Sequence, residues 1–140
     1  YLRGLVNFTR GDTFVDRILP RDASERDAGA TRQAFFDFAE LVRQFPESRY
    51  ATDAGQRMVH LRNNLAQYEM HVADYYMRRG AYIAAANRAK HVIEGYQGTP
   101  AVPEALATLV QAYRKLGMDD LAADAERVLR LNYPERAASL

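Results

Sequence analysis

The 140-residue chain is patterned almost throughout at the helical period. Apolar residues recur three and four positions apart, and no stretch alternates with the period of two that a half-buried strand requires. The prolines Pro20, Pro46, Pro100, Pro103 and Pro134 fall at the edges of these stretches, and residues 47–99 contain none. The longest stripe runs Ala54, Met58, Leu61, Leu65, Tyr68, Val72 and Tyr75. It predicts one helix of roughly 30 residues, about 45 Å long, with its seam buried along most of its length.

The second feature of the pattern is repetition. Tyr76 and Gly80 return as Tyr113 and Gly117, and Tyr96 returns as Tyr133, each 37 positions on. Ala85, Ala86 and Val92 fall on Ala122, Ala123 and Leu129 at the same displacement. One unit is therefore helix, glycine turn, alanine-rich helix and aromatic stop. Phe45-Pro46, Tyr96-Gln97 and Tyr133-Pro134 are three copies of that stop. In an earlier unit Gly11 takes the turn role, and "FFDFAELVRQFPES" supplies the second helix. Two antiparallel helices approach closely only where side chains are small, and Ala84, Ala85, Ala86 and Ala89 permit this, as do Ala122, Ala123 and Ala125. Each pair then leaves an apolar face that only the next pair covers.

This spacing is the tetratricopeptide pattern. The expected fold is all-α: tetratricopeptide-like helix-turn-helix repeats in an α-α superhelix, with one long helix. About three repeats span 1–47, 48–98 and 99–136. The chain opens at Tyr1 in mid-pattern, so it is expected to be the C-terminal part of a longer protein. Ser24 with Asp27 forms a capping-box pattern, Ser48 follows a helix stop, and Thr99 precedes Pro100 as a cap would. Between Gly11 and Ala30 lies a charged insertion that includes Asp16, Arg17, Arg26 and Asp27. A loop of this length in a compact array is more often functional than idle.

Composition removes several kinds of chemistry. There is no cysteine, which excludes disulfides, thiolate catalysis and sulfur-ligated metals. A formal net charge of +1 gives no global pull toward nucleic acid or an anionic membrane. No apolar run reaches the roughly 20 residues of a membrane span. The cations are nearly all arginine, with Lys90 and Lys115 as the only lysines. Arginine suits fixed, forked contacts to carboxylates.

No catalytic constellation emerges. Ser24 and Ser48 read as caps, Ser139 lies in the tail, and no histidine stands close to any of them in sequence. His60 and His71 share a helix face but lie roughly 16 Å apart along its axis, too far for one metal. Asp119-Asp120 complements a helix dipole. No cofactor or metal is expected, and the chain reads as a non-enzyme that binds other proteins. Arg88 stands out, because an arginine inside an alanine-rich helix needs a partner. That partner is either an acidic group on another protein or an internal carboxylate such as Asp74. Arg78 reads as solvated charge.

The stretches "RQAFFDFAELVRQFPES", "DAGQRMVHLRNNLAQYE" and "VADYYMRRGAYIAAANRA" resemble the BamD family of tetratricopeptide lipoproteins. The opening "YLRGL" and the insertion ending in Arg26-Asp27 fit that family too. The resemblance implies a non-catalytic scaffold on the periplasmic side of the bacterial outer membrane, within the β-barrel assembly machinery. It implies docking to the POTRA domains of BamA and to the accessory lipoproteins BamC and BamE, with membrane attachment only through an upstream lipid anchor. The family motif of Gly-Ala-aromatic followed by Asn-Arg is matched by Gly80, Ala81, Tyr82, Asn87 and Arg88. By resemblance BamA docking falls there, with Arg88 as the charged anchor and Arg79 beside it. Asp16, Arg17, Arg26 and Asp27 form a second expected contact. The alternative is another tetratricopeptide adaptor that grips a partner peptide in its concave groove.

Overall fold

A computed structural model describes residues 1–9 and 28–140. Its helices are α1 (Leu2–Thr9), α2 (Ala28–Gln44), α3 (Ala51–Arg78), α4 (Tyr82–Gly95), α5 (Val102–Lys115), α6 (Asp119–Asn132) and the short α7 (Pro134–Ala137). No strand occurs among the described residues. The chain divides into two compact units, Tyr1–Tyr68 and Glu69–Leu140, and α3 supplies residues to both. Gly11, Ser24 and the insertion residues Asp16, Arg17, Arg26 and Asp27 lie outside the described residues. The expected insertion ends sooner than the pattern suggested, because α2 already begins at Ala28.

The first unit is organised around Phe38, which is fully buried together with Ala34 and Ala54. Leu61 joins them, and Leu5, Phe8, Leu41 and Met58 pack around the cluster. At eight residues α1 is too short to be stable alone, so its helical state depends on α2. Gly4 permits the contact. A Cβ there would lie 2.8 Å from Phe38 Cε1, so no larger residue admits the ring. A polar clamp completes the pairing. Asp37 is 6% exposed. It accepts hydrogen bonds from Arg3 Nε at 2.7 Å, Asn7 Nδ2 at 3.0 Å and Gln33 Nε2 at 3.1 Å. Burial pushes this carboxyl up, but the three hydrogen bonds and the Arg3 charge outweigh it and hold it below the usual carboxylate range.

α3 is 28 residues long, close to the expected length. Its buried face differs from the expected stripe in the second half. Ala54, Leu61 and Leu65 are buried as anticipated, but further along the buried residues are Ala66, Glu69, Met70 and Ala73, while Tyr75 is 48% exposed. A heptad stripe drifts by about 20° per seven residues on a straight helix, so a seam set at Ala54 has rotated by about 60° at Tyr75, three heptads later.

The second unit repeats in its backbone as well as in its letters. Gly80 and Gly117 adopt φ of +74° and +70°. Ahead of each turn the same two bonds close a Schellman motif: Ala81 N to Tyr76 O and Gly80 N to Met77 O, then Met118 N to Tyr113 O and Gly117 N to Arg114 O, all at 3.0–3.1 Å. Tyr96 and Tyr133 end the following helices by donating to Val92 and Leu129 carbonyls at 2.9 and 2.7 Å. Val92 and Leu129 occupy matching positions and are both fully buried.

α5 packs against both α4 and α6 and carries the most buried surface, from Val102 through Leu106 and Val110 to Ala112. The facing alanines are Ala85, Ala86 and Ala89 on α4 and Ala122 and Ala125 on α6. Ala84 is half-buried and Ala123 exposed. Arg136 ties α7 to Glu104 of α5 at 3.1 Å.

One cap differs from expectation. Thr99 donates its hydroxyl back to the Tyr96 carbonyl at 2.8 Å instead of capping α5. The reason is that α5 starts only at Val102, with Pro103 in its first turn, so Thr99 lies outside capping reach. Ser48 Oγ accepts a hydrogen bond from Tyr50 N at 3.3 Å, just ahead of α3.

Two helical glycines give opposite expectations. Gly4→Ala destabilises the protein by about 1–3 kcal/mol, because the buried Phe38 ring has nowhere to go. Gly55→Ala stabilises it by about 0.5–1 kcal/mol, since nothing lies within 4 Å of the new methyl. Urea denaturation of both variants checks the pair. For Asp37 the folded carboxyl is the stronger acid, so its stabilisation is complete above the unfolded value of about 3.9. It is lost as pH falls through the depressed native value. Asp37→Asn lowers stability at pH 7 and flattens the acid limb of the stability–pH curve, measured by urea midpoints across that range.

Candidate functional site

The described residues that the resemblance singled out lie in the Gly80 turn, directly after the end of α3, and on α4, all within the second unit. Gly80 sets the geometry: its left-handed backbone reverses the chain so that α4 returns alongside α3. A half-buried Tyr82 starts α4, Asn87 is exposed on its middle turn, and Arg88 follows. Arg79 lies over the Tyr75 ring at 5.4 Å. Tyr75 in turn meets Tyr76 edge-on, with ring centroids 5.7 Å apart.

Arg88 is the pivot. Its Nη1 donates to Glu69 Oε2 at 2.9 Å, from α4 across to α3. The two ends of this ion pair stand in different environments. The Glu69 side chain is 5% exposed and the Arg88 side chain 44%. A carboxylate removed from water needs a balancing charge, and Arg88 supplies it. The expected internal candidate, Asp74, is instead paired with Arg78, four residues on along the outside of α3. The arginine read as merely solvated thus has a partner, and the buried acid five positions before Asp74 has the other.

Glu69 is the residue that sequence reasoning missed. A signal was present. Ala66, Met70 and Ala73 form a second apolar row spaced by four and three, and Glu69 lies within it. The row was hidden by the more conspicuous stripe of large residues, Leu65, Tyr68 and Val72, one position away.

Beside Arg88 is a shallow, polar recess of about 310 Å³ lined by Tyr76, Ala84, Asn87, Arg88 and His91. His91 packs edge-on against Tyr96 at 5.7 Å. Arginine and tyrosine around a recess are the residue types that anchor protein interfaces. Elsewhere in the unit an apolar groove of about 300 Å³ is lined by Ile93, Leu106, Leu109, Tyr113, Leu121 and Val128.

Metal-binding geometry is lacking among the described residues: no three His, Cys, Asp or Glu residues converge on a point that could hold an ion. His60 lies near the Phe8 ring at 6.1 Å and contacts Asn64 at 3.2 Å. No helix among the described residues is long and apolar enough to cross a membrane.

Known proteins share this chain's sequence along nearly all of its length. The YfiO family model, described as outer membrane lipoprotein, matches residues 1–129. The outer membrane protein assembly factor BamD of Neisseria meningitidis serogroup A is 54% identical over 96% of the chain and 51% of that protein. The BamD of Xylella fastidiosa strain Temecula1 is 46% identical over 96% of the chain and 46% of its own length. The BamD of Vibrio cholerae is 36% identical over 94% and 55%. The chain thus spans about half the length of the curated relatives it matches. With its repeated glycine turns, long central helix and Gly-Ala-Tyr…Asn-Arg motif, the chain belongs to the YfiO family of outer membrane lipoproteins and is similar along nearly its whole length to BamD proteins.

Proposed function

We propose that this chain is a non-catalytic scaffold for outer-membrane protein assembly, working on the periplasmic side of the outer membrane. It docks on the POTRA domains of the barrel subunit BamA and on the accessory lipoproteins BamC and BamE. The relatives' names carry the assembly role. The docking site rests on one observation: Arg88 has a side chain 44% exposed yet is anchored from below by Glu69, beside a polar recess. Such an arginine presents the rest of its planar fork to a partner at small ordering cost. Asn87, Tyr82 and Arg79 extend the contact along the same turn. Asp16, Arg17, Arg26 and Asp27 form the proposed second contact.

A second reading has its own support. The apolar groove between α4, α5 and α6 suits a partner peptide laid across the repeats, as in other tetratricopeptide adaptors. The two readings separate by mutation. Under the first, Arg88→Glu weakens binding to isolated POTRA domains at least tenfold by calorimetric titration, with helical content unchanged by circular dichroism. Val128→Arg, in the groove, leaves that affinity within twofold. The reverse pattern moves the site to the groove, and two unchanged affinities refute both.

A further inference from the structure

The Glu69–Arg88 pair is asymmetric: the acid is inside, and the base, which costs less to leave in water, stands at the surface. Only Nη1 of the guanidinium reaches Glu69 Oε2. Because the guanidinium is planar and rigid, holding one nitrogen on a buried, immobile oxygen narrows the positions and orientations open to the rest of the fork. Nineteen residues and a turn separate the two, so the fixed point belongs to a different helix from the arginine. The neighbours repeat the theme. Tyr76 from α3 and Ala84, Asn87 and His91 from α4 line the recess beside the fork. None of them is acidic, so the recess offers no competing carboxylate.

We infer that Glu69 is a positioning residue, which holds the Arg88 fork in the orientation that receives a carboxylate from a partner protein in the recess beside it. The inference rests on the docking role proposed above for Arg88. Arginine loses considerable rotamer freedom when it is ordered at an interface. With Glu69 in place, that freedom is already lost in the free protein. Glu69 itself touches no partner, because it is inside.

Glu69→Met tests this, since methionine fits the space without holding the fork, and Glu69→Gln keeps an acceptor oxygen. Nitrogen-15 relaxation of the Arg88 Nε–H in the free 140-residue chain reads the positioning directly. It is ordered in the native chain, partly ordered in Glu69→Gln and mobile in Glu69→Met. Titration with isolated POTRA domains reads the consequence: affinity falls roughly three- to tenfold in Glu69→Met and less in Glu69→Gln. In an Arg88→Lys background, which has no fork to orient, Glu69→Met costs nothing further. Thermal melts confirm that each variant is folded. An Arg88 Nε–H equally ordered in all variants overturns the inference. So does tighter binding by Glu69→Met, which would make Glu69 a competitor for the arginine. Loss of binding that adds fully to that of Arg88→Lys overturns it as well. If Arg88→Glu leaves POTRA binding intact while the relaxation results hold, the docking reading fails and the positioning of Arg88 stands.

Discussion

Close approach of helices at small residues is the constraint on which both units depend. Helix axes can come within contact distance only where one surface lacks bulk, and the chain supplies glycine or alanine at each such point. In the first unit Gly4 admits the fully buried Phe38 ring. In the second, the alanines of α4 and α6 flatten the two surfaces that enclose α5. Larger residues then fill the spaces between, as Val92, Val110 and Leu129 do. Polar clamps add register to this packing without driving it. Asp37 fixes α1 on α2 through Arg3 and Asn7, and Arg136 holds α7 to α5.

The same geometry explains why a surface and not a cleft carries the interesting chemistry. Helices packed on alanine leave little interior space, so charged groups either stay outside or enter paired. Most take the first course, as in Arg78 with Asp74 and Arg3 with Glu40. Exposed pairs of this kind contribute little to stability. Glu69 takes the second course, and its partner emerges at the surface beside tyrosines and a histidine. The result is a buried acid whose counter-charge stands at the surface.

Much of this was legible in the residues themselves. The 37-residue displacement announced the second unit, and the left-handed φ at both Gly80 and Gly117 is what a helix-ending glycine requires. The long helix was legible from uninterrupted apolar spacing. What the pattern concealed arose from three dimensions. The buried face of α3 drifts, so Tyr75 is outside and Ala73 inside. The sequence left the partner of Arg88 open between another protein and an internal carboxylate such as Asp74; the internal carboxylate is Glu69, which the turn at Gly80 brings alongside α4. Thr99 looked like a cap because of the proline after it, but the helix begins later, at Val102.

The repetition within the second unit has a consequence for how that part of the chain comes apart. Each helix beyond Gly80 packs on its immediate neighbours in sequence, with α7 also reaching α5, so the contacts are mostly local and the entropy of closing them is small. Such an arrangement loses structure helix by helix rather than all at once. Within this unit α5, flanked on both faces by α4 and α6, is the best-supported helix.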